Sequence, residues 1–206
     1  MGLIHRLEES EGGATRAPYR WRGSSWVALL AVLGGGAANA GTRAGHDVDL
    51  SVASRAGRFE VRGSFSTAAS RAIVWQVLTD YDGIPAFVPS IKQSSLERRD
   101  GDTLRVRQLA VMGTFALRRT AWVTLAVIEE PQRRIEFRDV LGRDFRYYAG
   151  SWSLQTNSTL TVVSYALDVM PRAGLPAWVG RSIASHSAGD MLEQVRDEIE
   201  RRSAGR

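Results

Sequence analysis

From Lys92 to Val169 the chain runs through segment after segment of alternating apolar and polar residues, with no helical stretch between them. Turn signals separate the segments: Arg99-Asp100-Gly101-Asp102, Glu129-Glu130-Pro131, Leu141-Gly142-Arg143-Asp144 and Thr156-Asn157-Ser158. Alternation means a half-buried strand, and strands joined by short turns pair antiparallel as a meander. A twisted antiparallel sheet of about six such strands curls. Arg105, Arg107, Arg134, Glu136 and Arg138 mark its polar face. Leu104, Val106 and Gln108 alternate with two of these arginines; Tyr148, Gly150, Trp152 and Leu154 share one face, and Val163, Tyr165, Leu167 and Val169 form the last strand. Between Thr114 and Ile128 the facing stays open, because either parity contains a polar residue. The apolar face needs a cover.

Only Pro176–Arg202 is long enough to be that cover. Its second half carries Leu192, Val195 and Ile199 at helical spacing, with Glu193, Arg196, Asp197, Glu200 and Arg201 opposite. Its first half begins with Trp178, Val179 and Ile183 and then thins to Ala184-Ser185-His186-Ser187-Ala188-Gly189. Small residues in a covering helix mean either that the sheet comes very close or that a space is left. The aromatic sheet face favours a space, which predicts a ligand cavity under Ala184–Gly189.

Ahead of the meander, Val48, Leu50 and Val52, then Phe59, Val61 and Phe65, alternate as two strands around the turn Ser54–Gly57. Ser66 or Thr67 can cap a helix over 68–79 with Ile73, Val74, Val77 and Leu78 as its stripe. Ile84-Pro85-Ala86-Phe87-Val88-Pro89 follows, a short helical turn or rigid loop, because its prolines block a longer helix. Residues 1–40 combine a basic flank, a short apolar core and Ala38-Asn39-Ala40, which predicts a signal peptide, with residues 41–57 as linker and extra strand. The expected location is therefore exported, periplasmic or secreted; the alternative is anchorage in a membrane through residues 24–36.

With no cysteine, disulfides and thiol chemistry are excluded. The histidines are His5, His46 and His186, too scattered for a metal site, and none is expected. Gly-x-Ser-x-Gly and phosphate-loop patterns are missing. The net charge of +5 comes with dispersed arginine pairs, the pattern of a solvated surface rather than of a nucleic-acid partner.

The run from Ala72 to Ile91, AIVWQVLTDYDGIPAFVPSI, resembles the first helix and the Tyr-x-x-x-Pro-x-Phe-x-Pro turn of the START-like, helix-grip superfamily, in its polyketide cyclase/dehydrase and coenzyme Q-binding branch. Gly150–Leu154 and the strand Thr161–Val169 are weaker matches. The resemblance covers residues 58–202. It implies an α+β helix-grip fold: a curled antiparallel sheet of six to eight strands gripping a long C-terminal helix, with an apolar ligand between them. Expected wall residues are Phe87, Val88, Met112, Phe115, Phe137, Tyr148, Trp152, Tyr165, Leu167, Trp178, Val179, Ile183, Ala184 and His186. The expected function is binding, and carriage or presentation, of a lipid, quinone-like or polyketide-like molecule. The alternatives are a cyclase/dehydratase with His186 or Tyr148 as proton donor, and a non-catalytic module at a membrane surface. No cofactor is expected beyond a bound quinone or lipid as ligand; the chain is expected to be a monomer with peripheral membrane contact.

Overall fold

A computed structural model describes residues 48–112, 118–157, 159–172, 174 and 176–205. The chain divides into a unit 1–41 and a unit 42–206. The first, with the expected signal peptide or anchor, lies outside the described residues, as does Phe115. Strands β1 (Asp49–Arg55) and β2 (Arg58–Thr67) precede helices α1 (Arg71–Leu78) and α2 (Ile84–Phe87). Six strands follow: β3 (Ile91–Asp100), β4 (Thr103–Met112), β5 (Arg119–Glu130), β6 (Arg134–Asp139), β7 (Phe145–Asn157) and β8 (Leu160–Pro171). Helix α3 (Ala177–Ala204) closes the chain. All eight strands form one antiparallel sheet in the order β1-β2-β8-β7-β6-β5-β4-β3. The meander runs back from β3 until β8 pairs with β2, so α1 and α2 are the one crossover among these elements.

Period-two alternation sets the inner face. Phe59, Val61 and Phe65 of β2, Leu104 and Val106 of β4, and Val163 and Tyr165 of β8 are buried there. In β5, Ala121, Val123, Leu125 and Val127 turn inward. That settles the open parity: Trp122 faces out beneath Arg107, whose guanidinium lies 4.5 Å from the ring centre, and Ile128 is 49% exposed.

The first helix starts later than the sequence predicts. Thr67 stays in the β2–β8 ladder opposite Thr161, and both threonines satisfy the turn that follows. Thr67 Oγ1 accepts from Ala69 N at 3.2 Å, while Thr161 Oγ1 donates to Ala69 O at 2.7 Å. Ser70 then caps α1, its Oγ accepting from Ile73 N.

The second half of α3 lies as its stripe demands, with Leu192, Val195 and Ile199 buried. Glu198 is buried beside them. Its carboxylate accepts from Arg201 at 2.7 Å and from Arg202 at 2.6 Å, and Arg202 also reaches Asp80 at 2.7 Å, beyond the end of α1. Hydrogen bonds first from Arg201 and then from Arg202 outweigh burial and bring the Glu198 pKa down to about 2.

Candidate functional site

The tight approaches of α3 to the sheet flank the thin run Ala184–Gly189, in which Ala188 is buried and Ser185 and His186 are exposed. A Cβ on Gly180 would overlap the Phe59 ring, coming within 2.7 Å of Cε1 and 2.8 Å of Cε2. A Cβ on Gly63 in β2 would strike the Leu192 side chain. On Gly189 it would meet Leu50 at an ordinary 3.6 Å. Small residues on both sides let the helix lie directly on β1 and β2.

The interior cavity opens further along, where α1, α2 and the middle of α3 face the remaining strands. Its volume is about 100 Å³. Val77 and Leu78 of α1, Tyr81, Ile84, Phe87 and Val88 close it on one side, with Met191 and Val195 of α3. The sheet side is Ile91, Gln108, Leu125, Val127, Ile135, Phe137, Tyr148, Trp152 and Tyr165.

Six expected wall residues thus come together: Phe87, Val88, Phe137, Tyr148, Trp152 and Tyr165. Met112, Leu167 and Ala184 pack on the core without lining the cavity, and Ile183 and Val179 do not line it either. Trp178 is 74% exposed at the start of α3. His186 points to solvent and lies 3.4 Å from Asp190, one turn on. It cannot serve as the proton donor expected of it inside the cavity. The cause is the rotation of α3: the close approach at Gly180 and Leu192 turns the His186 side outward. Tyr81, Gln108, Met191 and Val195 belong to the wall but were not singled out by sequence. Val195 stands in the apolar stripe of α3, Tyr81 in the turn motif, and Gln108 alternates inward with Leu104 and Val106, whereas Met191 carries no such signal.

The wall is an aromatic cluster. Trp152 and Tyr165 have ring centres 4.6 Å apart, Phe137 stacks on Tyr165 at 6.4 Å, and Phe137 and Tyr148 lie 6.1 Å apart. Gly150 makes the Phe137 position possible. The two are cross-strand partners, and a Cβ on Gly150 would come within 2.6 Å of the Phe137 ring.

Polar groups in this wall are few. Gln108 donates from Nε2 to Ser94 Oγ at 3.1 Å. Tyr81 donates to Glu129 Oε1 at 2.6 Å, and burial together with that bond raises its pKa. The Tyr148 and Tyr165 phenols are the other polar groups of the wall, and neither hydroxyl is among the fully buried polar atoms left without a partner. Burial first, then the nearby Asp139 charge, pushes Tyr148 up to about 12; burial raises Tyr165 as well. Both phenols therefore stay protonated and keep a hydrogen to donate. No cluster of three or more potential metal ligands occurs among the described residues.

A family model described as polyketide cyclase / dehydrase and lipid transport matches residues 67–196. No curated protein matches the chain in sequence. Among solved structures, the Zhui aromatase/cyclase from Streptomyces sp. R1128 is 19% identical, with a TM-score of 0.60, over 70% of this chain and 95% of that one. A START superfamily protein from Mycobacterium smegmatis is 17% identical, with a TM-score of 0.59, over 69% and 97%. A STAR-related lipid transfer protein (fragment 25–204) from Xanthomonas axonopodis is 17% identical, with a TM-score of 0.54, over 73% and 98%. At these identities the likeness establishes the fold: the START-like helix grip.

Proposed function

The chain belongs to the polyketide cyclase / dehydrase and lipid transport family, and from that premise we propose that it binds an apolar small molecule in the cavity between sheet and α3 and carries or presents it. The molecule is a lipid, or a quinone-like or polyketide-like compound. The observation that carries this reading is the aromatic wall of the cavity, Phe137, Tyr148, Trp152 and Tyr165, with two protonated phenols in it. A ligand carbonyl in the cavity could accept from either phenol.

The cavity at rest is small for the task. Ligand sites run to roughly 300–1,000 Å³. Uptake then requires the wall to give. The part suited to this is α2, four residues long with none of them buried, facing the flexible side chain of Met191.

Native mass spectrometry of protein expressed in its own host, with titration by apolar dyes, tests the reading. A co-purifying apolar molecule is expected, and Tyr165→Phe should weaken its binding by about tenfold while leaving stability unchanged or slightly higher. An empty protein indifferent to dyes would refute it. The same hydroxyls favour the second reading, ring closure of a poly-oxo chain, because a hydrogen bond to a carbonyl oxygen makes that carbon more electrophilic. Turnover of a poly-oxo thioester that vanishes in Tyr148→Phe would move the assignment to an enzyme.

A further inference from the structure

Ion pairs occur at both ends of the sheet, Arg58–Asp168 among them where β1 turns into β2, but that end also gathers arginines without a carboxylate partner. At the end holding the β3–β4 and β5–β6 turns and the close of α3, Arg98 pairs with Asp100, Arg133 with Glu130, and Arg201 and Arg202 with Glu198. At the other end the β1–β2 turn, the β6–β7 turn, the β8–α3 connection and the first turns of α3 come together. Arg172 Nε donates to Gly142 O at 2.7 Å, its backbone N to Asp144 O at 3.1 Å, and Arg181 to Ser54 Oγ at 3.0 Å. Arg55, Arg119, Arg143, Arg146, Arg172 and Arg181 are exposed there. No ion pair joins any of these six to a carboxylate among the described residues. Asp168 is taken by Arg58 and Arg62, and two further carboxylates by backbone donors. Asp139 accepts from the backbone N–H of Thr124, Leu141 and Gly142, and Asp144 from that of Trp122.

The same end carries the two most exposed large apolar side chains of the described residues, Trp178 at 74% and Leu141 at 64%, with Val140 beside Leu141. We propose that this end docks on an anionic lipid bilayer. A tryptophan ring settles at headgroup depth, and arginines near an anionic leaflet are held there by its potential. Their long stems let apolar carbons and charge occupy different depths. Leu141 and Val140 argue for lipid over nucleic acid, which pairs its phosphate contacts with polar or planar side chains. Docking needs no ligand in the cavity, so it stands or falls apart from the binding reading.

The test uses the full chain with phosphatidylcholine vesicles, with and without phosphatidylglycerol, in a sedimentation assay. Binding should require the anionic lipid and fall as salt rises. Trp178→Ala and Arg143→Glu, both at exposed positions, should keep the melting temperature and each weaken binding by about fivefold or more. Equal binding to neutral vesicles, no binding, or binding indifferent to both substitutions overturns the proposal. Retention on single-stranded DNA that drops in Arg143→Glu, without vesicle binding, also overturns it and assigns the surface to nucleic acid.

Discussion

Gly180→Ala tests the claim that the small residues of α3 serve close packing. In an isolated helix the substitution should stabilise by about 0.8–1 kcal/mol, since alanine restricts the unfolded backbone. Here the added methyl would overlap three atoms of the Phe59 ring, which is only 3% exposed. Overpacking of this kind costs about 1–3 kcal/mol, and contact with three ring atoms puts it in the upper part of that range. The balance is a loss of about 1–2 kcal/mol, or roughly 4 °C in melting temperature for a domain of this size. A double-mutant cycle isolates the cause. Phe59→Leu alone should cost about 1 kcal/mol, and in that background Gly180→Ala should turn neutral or stabilising, a coupling of at least about 1 kcal/mol. Thermal or urea unfolding reads all four proteins. If Gly180→Ala raises the melting temperature of the otherwise native chain, α3 does not lie tightly on β2 at this point, and the close-packing reasoning fails.

Met191→Trp should fill the cavity and abolish uptake of apolar dyes, whereas Ala184→Trp should leave uptake unchanged; the opposite pattern would move the cavity back to the thin half of the helix. His186→Ala should alter neither binding nor any turnover, and stability by no more than the ~0.3–0.5 kcal/mol of an exposed i,i+4 pair. Glu198 has its pKa lowered to about 2, below its ordinary 4.5, so its contribution is fully present above pH 4.5 and is lost as pH falls toward 2. Allowing for screening at the exposed Arg201, that contribution is about 1–2 kcal/mol. Glu198→Gln should therefore flatten the acid limb of a stability–pH curve between those values, and an unchanged acid limb would show the arginine cluster to be energetically idle.

Some parts of the site are local properties and could be read from the chain. Tyr148, Gly150, Trp152 and Leu154 recur every second residue, and a strand sends such residues to one face whatever lies opposite. The Phe87–Val88 turn is short because two prolines bracket it. Glu198 was illegible, because its burial depends on Asp80 arriving from a segment more than a hundred positions away in the chain to hold Arg202. Tyr81 was visible within a familiar motif, yet its role rests on Glu129 standing at the end of another strand.

Alternation and turn chemistry by themselves determined an antiparallel meander with one apolar face, and helical spacing determined one long cover for it. They could not determine which way that cover is turned. Ala184–Gly189 is equally compatible with a space and with a close approach, because a small side chain states only that little volume is present, not whether another backbone takes it up. Tertiary packing decided the turn of the helix: Phe59 and Leu192 occupy the room that Gly180 and Gly63 leave on either side of the run, Ser185 and His186 face solvent, and Met191 and Val195 come over the aromatic wall.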